Sequence, residues 1–121
     1  MLNRSFSQSI ILEASQTAVY MGSGSLPVFA TPAMIALMEN TAMKCLSDLP
    51  EGSTSVGISI CVNHLKAIPV GATIHCTASI TAIEGRKYTF HVSVTDITEI
   101  LVGEGTHERV VVDVEKFMSR I

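Results

Sequence analysis

The sequence predicts an α+β domain: a strongly curved antiparallel sheet wrapped around one long buried helix. Two patterns carry that expectation. From Ala33 to Leu46 nearly every position is apolar or small, and apolar side chains at 34, 35, 37, 38, 42, 43, 45 and 46 cover almost the whole circumference of a helix. From Thr54 onward the apolar period changes from helical to two, the mark of half-buried strands. A helix apolar on nearly all sides needs more cover than one flat sheet face supplies, so the sheet must curl about it. The 121 residues suit a single domain spanning 1–121, and 47% apolar against 16% charged residues argues for a packed core.

In chain order, Ser9 to Ala14 is expected as a first strand, and Tyr20 to Pro27, rich in Gly and Ser, as a flexible loop. Thr31-Pro32 opens the helix, the threonine as an N-cap candidate and the proline at a position where its missing N–H costs nothing. Ser47 to Gly52 ends it with breakers. In the next segment Val56, Ile58, Ile60, Val62 and His64 share one face, with Gly57, Ser59, Cys61 and Asn63 on the other. Thr73 to Ile83 points Ile74, Cys76, Ala78, Ile80 and Ala82 one way, Glu84-Gly85 marks a hairpin, and Arg86 to Asp96 aligns Tyr88, Phe90, Val92 and Val94. Ile100 to Phe117 is expected as one long strand with bulges at Gly103 and Gly105. The strands' second faces are rich in Ser, Thr and Cys but poor in charge, which suits burial in an oligomer. This is a hot-dog layout, dimeric or larger.

Composition excludes several functions. A net charge of −3 gives no basic field for nucleic acid. No apolar run is long enough for a membrane span, no signal-peptide pattern opens the chain, and a cytoplasmic setting is expected. The scattered histidines and the absence of a C-x-x-C pair signal no metal. Cys45, Cys61 and Cys76 are expected as buried free thiols in a reducing compartment. P-loop and G-x-S-x-G patterns are missing.

Three polar residues stand where the pattern does not ask for them. Glu39 lies mid-helix, eight residues from Thr31, which is about 12 Å of helical rise, so the two cannot touch directly. His64 ends the strand face expected against the helix, within reach of Glu39 or Thr31. A histidine beside a carboxylate suits general-base work, and amides at a helix N-terminus can polarise a carbonyl. Each residue also has an ordinary reading: Thr31 as a plain N-cap, Glu39 as an acid satisfied structurally by backbone or by a charge partner, His64 as a strand-end histidine. Strict alternation sets Gly57 opposite His64 unless a bulge intervenes; its expected use is close backbone approach. His75 and His91 fall on polar faces, and His107 is left unassigned.

Phe29-Ala30-Thr31-Pro32 with Glu39, Val56-Gly57-Ile58 through Asn63-His64-Leu65, Pro69-Val70-Gly71 and Gly103-Glu104-Gly105-Thr106-His107-Glu108-Arg109 together resemble the hot-dog thioesterases related to fluoroacetyl-CoA thioesterase, from about Val19 to Phe117. The resemblance implies a homodimer, or a higher homo-oligomer, hydrolysing a short or medium acyl-CoA at the subunit interface. It implies Thr31, Glu39 and His64 as the catalytic set and Gly57, Phe29 and Arg109 as substrate-binding residues. It implies no cofactor, coenzyme A entering only as part of the substrate. Lys66, Arg86, Lys87 and Arg109 are the candidate phosphate-binding cations. Pro32 departs from relatives that carry glycine after the threonine, and removes one backbone donor. The loop between Tyr20 and Phe29 has no aromatic, so fluoroacetate specificity is not implied. A non-catalytic acyl-CoA or small-ligand binding domain is the alternative. An enoyl-CoA hydratase on this fold is disfavoured, since no histidine lies between 29 and 63.

Overall fold

The computed structural model describes residues 4–121. The elements are β1 (Ser5–Ile11), a 3-10 turn (Ala14–Gln16), α1 (Ala18–Met21), α2 (Thr31–Cys45), β2 (Ser53–His64), β3 (Thr73–Glu84), β4 (Lys87–Asp96), β5 (Leu101–Asp113) and α3 (Val114–Ser119). All five strands form one antiparallel sheet in the order β1-β3-β4-β5-β2, so β1 and β2 are its edges. Met34, Met38 and Ala42 of α2 meet Ile74, Cys76, Ala78 and Ile80 of β3, Phe90, Val92 and Val94 of β4, and Val102 of β5 in the buried core. The expected curved sheet around a helix is therefore the observed fold.

Curvature comes from bulges, one of them beside Gly103 where the sequence predicts it. Pairing shifts register between Gly57 and Ser59 of β2, between Ile80 and Ala82 of β3, and opposite Val94 and Thr95 of β4. Each extra residue bends its strand and raises the twist. Val102 is the extra residue of β5, so the bulge expected at Gly103 is present beside it, while Gly105 pairs regularly; both glycines are also sites of close packing. A Cβ on Gly103 would stand 2.5 Å from Met34 Sδ, and one on Gly105 only 2.0 Å from the Cys61 carbonyl oxygen.

Other boundaries also move. The first strand is Ser5–Ile11 rather than 9–14, because each residue from Ser5 to Ile11 has a partner on β3, from Ser79 to Thr73. The segment after it folds into the short turns and α1 before the Gly-Ser run begins. Beyond Asp113 the chain is helical, not extended; Asp113 caps α3 by accepting from the Lys116 amide at 3.0 Å. Cys45 and Cys76 are buried thiols as expected, but Cys61 is exposed on β2.

The helix is covered on one side only. Ala33, Met34, Leu37, Met38, Thr41, Ala42 and Cys45 are buried, while Pro32, Ala36 and Met43 are exposed and Ile35 and Glu39 half-exposed. On that stripe Glu39 lies against Gly57 of β2, while Ala36 faces a cleft shared with Gln8 and Ile10 of β1. Ile35 and Met43, two of the apolar positions that predict a helix buried on all sides, lie on this stripe.

Candidate functional site

The N-cap of α2 is Ala30, not Thr31, and no side chain caps the helix. Thr31 is already helical, so its hydroxyl is spared for another partner: Oγ1 hydrogen-bonds His64 Nδ1 at 2.8 Å. Phe29, buried beside it, holds the imidazole edge-on, with ring centroids 5.8 Å apart at 78°. The remaining ring nitrogen, His64 Nε2, is buried and has no hydrogen-bond partner among the described residues. These groups floor a cleft of about 360 Å³ lined also by Ala18, Ser23, Val28 and Lys66. Thr31 and His64 are thus brought together by the turn that feeds α2 and by the end of β2.

Glu39 goes elsewhere. Its carboxylate lies against Gly57, seven residues before His64, which is about 20 Å of extended strand. One chain therefore does not join Glu39 to His64, contrary to one of the two sequence expectations for that histidine. The bulge after Gly57 explains the placement. It leaves Ile58 half outside, 52% exposed, and shifts the alternation so that Gly57 and His64 both face inward. Ile58 is not part of the inner face to which periodicity assigned it.

Gly57 is the residue that makes room. A Cβ there would sit 2.7 Å from Glu39 Oε2, 3.2 Å from His107 Cε1 and 3.4 Å from an Arg109 terminal nitrogen. Glu39 ends in a flexible, half-exposed carboxylate and can retreat. Gly57→Ala is therefore expected to change stability by less than about 1 kcal/mol while displacing the carboxylate. If Glu39 takes part in turnover, kcat falls about tenfold or more with the melting temperature nearly unchanged. Equal kcat in the folded variant would show that the carboxylate's position is immaterial.

Arg109, expected at the coenzyme A phosphates, is buried instead. Its Nε donates to Ser55 Oγ at 2.8 Å, one terminal nitrogen to the Ser55 carbonyl at 3.0 Å and the other to His107 Nε2 at 3.1 Å. The same nitrogen stands 3.8 Å from Glu39 Oε2, an ion pair beyond hydrogen-bond length. Burial pushes the guanidinium down from its usual range and Glu39 pushes it back up, but arginine stays charged. Of the other candidate cations, Lys66 borders the cleft and pairs with Asp96, Lys87 pairs with Glu84 and Glu108, and Arg86 lies on the sheet's outer side near Lys116 and Arg120.

His107 is ambiguous from sequence. It is 1% exposed, and its Nδ1 meets the Ser59 carbonyl at 2.8 Å. Burial and the Arg109 charge lower its pKa, against opposing effects of the Ser59 bond, Glu39 and Glu108. A histidine whose folded pKa lies below its unfolded value near 6.5 binds its proton more readily when unfolded. Stability is full above about pH 6.5 and declines as pH falls toward the folded pKa. Melting temperature should drop between pH 7 and 5.5, with that component missing in His107→Gln; an identical pH profile in both proteins would refute this.

Comparison with known proteins identifies the class. Residues 12–115 match the family described as fluoroacetyl-CoA-specific thioesterase. The fluoroacetyl-CoA thioesterase of Streptantibioticus cattleyicolor is 42% identical over 96 residues, covering 78% of this chain and 68% of that protein. A crystal structure of a mutant fluoroacetyl-CoA-specific thioesterase with fluoroacetate and CoA superposes with a TM-score of 0.90 at 32% identity, over 97% of this chain and 98% of the other. A hot-dog-like protein from Thermanaerovibrio acidaminovorans gives a TM-score of 0.90 at 26% identity, over 98% and 88%. The fold is that of the hot-dog thioesterases, a class of thioester hydrolases. Within it, the chain belongs to the fluoroacetyl-CoA-specific thioesterase family.

Proposed function

We propose that this protein hydrolyses short or medium acyl-CoA thioesters, with Thr31 and His64 from one copy and Glu39 from a second forming the site. The observation that carries the reading is the 2.8 Å Thr31–His64 contact at the base of a cleft, with the other imidazole nitrogen buried and unmatched. When the Thr31 hydroxyl donates to Nδ1, Nε2 carries the ring proton and needs an acceptor. A carboxylate is the usual group that orients such a base.

A second copy supports that role physically. β2 is a 12-residue edge strand with its outer side unpaired among the described residues, a template for pairing. Two-fold antiparallel pairing of β2 with its counterpart sets the His64 end of one strand beside the Gly57 end of the other. Glu39 lies at that Gly57 end, on the open stripe of α2. The homodimer thus completes a site that each chain holds in two halves.

In the reaction the acyl carbon gains an oxygen from Thr31 or from a water that Thr31 positions, and the C–S bond breaks. His64 takes the proton of the attacking O–H and returns it to the departing CoA sulfur; water completes the balance to carboxylic acid and thiol. The Ala30 amide is already bonded to the Gln16 carbonyl at 2.9 Å, and Pro32 has none. The oxyanion therefore falls to the Thr31 and Ala33 amides. The Gly22–Ser25 segment beside the cleft offers no aromatic side chain to grip a very small acyl group, which supports a substrate range wider than fluoroacetate.

A free-thiol release assay over acyl-CoAs of graded length tests the reading. Turnover of short or medium chains is expected. Tight binding of coenzyme A without hydrolysis of any thioester would overturn it and make the protein a binding domain.

A further inference from the structure

The Glu39 carboxylate is not held by hydrogen bonds of its own among the described residues; it faces a guanidinium that is itself fixed on three sides. Ser55 accepts two of those contacts, through its hydroxyl and its carbonyl. The third is His107. Its Nδ1–H can only donate to the Ser59 carbonyl at 2.8 Å, so Nε2 is left with its lone pair outward, as the acceptor for Arg109 at 3.1 Å. The imidazole therefore spans the β2 bulge on one side and the guanidinium on the other, stacked on Phe90 at 6.2 Å between ring centroids. It is 1% exposed and touches neither the cleft nor Thr31 or His64.

We propose that His107 is a positioning residue: by accepting from Arg109 it aims the guanidinium at Glu39 and so fixes the carboxylate that a second subunit's Thr31–His64 pair uses. This rests on the proposed role of Glu39. Without the His107 acceptor, the terminal nitrogen it holds is free to swing toward Glu39 Oε2, now 3.8 Å away, and close to a direct hydrogen bond. That bond would occupy the oxygen and draw it back from the interface. The 3.8 Å gap keeps an opposite charge beside Glu39 while leaving its lone pairs open for another donor.

Two variants divide the ring's contacts. Asparagine places its amide nitrogen where Nδ1 was, keeping the Ser59 contact and losing the Arg109 acceptor. Glutamine places its carbonyl oxygen where Nε2 was, keeping the acceptor and losing the strand contact. For the folded dimer, His107→Asn should lower kcat about tenfold or more with KM within about threefold, and His107→Gln should stay within about threefold of the parent. Glu39 should report the same division without turnover: its carboxyl carbon resonance in 13C-glutamate-labelled protein, identified by its loss in Glu39→Gln, shifts in His107→Asn and not in His107→Gln. Glutamine harming more than asparagine, or a Glu39 resonance unmoved in both, would overturn the proposal. Should the parent hydrolyse no thioester, the functional reading fails by itself, and the resonance still decides whether His107 positions Glu39.

Discussion

His64→Ala is expected to lower thioester turnover at least about a hundredfold, the usual scale for losing a general base. The residue lies at the end of β2, and its ring touches Phe29 by an edge and Thr31 by one hydrogen bond. Removing it opens space at the cleft, not in the packed centre of the sheet, so the melting temperature should change little. The loss belongs in kcat rather than KM, because the proton transferred in the transition state has no other acceptor at Thr31 Oγ1. Hydrolysis unaffected by the substitution would discard Thr31–His64 as the reacting pair. Activity lost together with folding would leave the same question to His64→Gln, whose amide retains polar contact but cannot take up a proton. A His64→Gln variant that folds and still turns over at the parent rate would discard the pair equally.

The largest stability effect is expected at Gly105. A methyl group there would stand 2.0 Å from the Cys61 carbonyl oxygen and 2.7 Å from Val62 Cα, both backbone atoms of the paired strand. Backbone cannot retreat as a side chain does, so β2 must separate from β5 or the bulged pair must change register. Gly105→Ala should cost about 3 kcal/mol, seen as a melting temperature lower by about 10 °C and a reduced urea midpoint with similar slope. Gly103→Ala is the internal comparison. Its nearest obstacle is the Met34 thioether, a flexible side chain, and its nearest backbone atom, the Asn63 carbonyl oxygen, stands at 2.9 Å rather than 2.0 Å, so a smaller loss is expected. A Gly105 variant within about 0.5 kcal/mol of the parent would show that the β2–β5 pair can open without cost.

Much of the fold was legible because periodicity records burial directly. Ile74, Cys76, Ala78 and Ile80 of β3, and Phe90, Val92 and Val94 of β4, alternate in sequence and are buried in the structure. Local breakers also marked the end of the helix correctly, at Leu46. The failures cluster where a local pattern has two tertiary meanings. Asp113 begins a helix that the apolar run through Phe117 disguised as a strand. Gly105 marks a bulge or a close approach equally well in sequence, and only the neighbouring Cys61 carbonyl chooses between them.

The candidate residues divide the same way. Composition and spacing alone singled out Thr31, Glu39 and His64, because a carboxylate in an apolar helix and a histidine at the end of an apolar face break their surroundings' pattern. The eight-residue separation further established that Thr31 and Glu39 could not be a touching pair. Which partner each takes was settled by the tertiary structure. The N-cap at Ala30 freed the Thr31 hydroxyl for His64, and the bulge after Gly57 turned that glycine inward under Glu39. Arg109 and His107 lie two residues apart on one strand, yet their contacts come from Ser55 and Ser59 across the sheet. Periodicity reports how one element is buried; a hydrogen bond between elements depends on register, and for β2 against β5 the extra residue Ile58 sets that register.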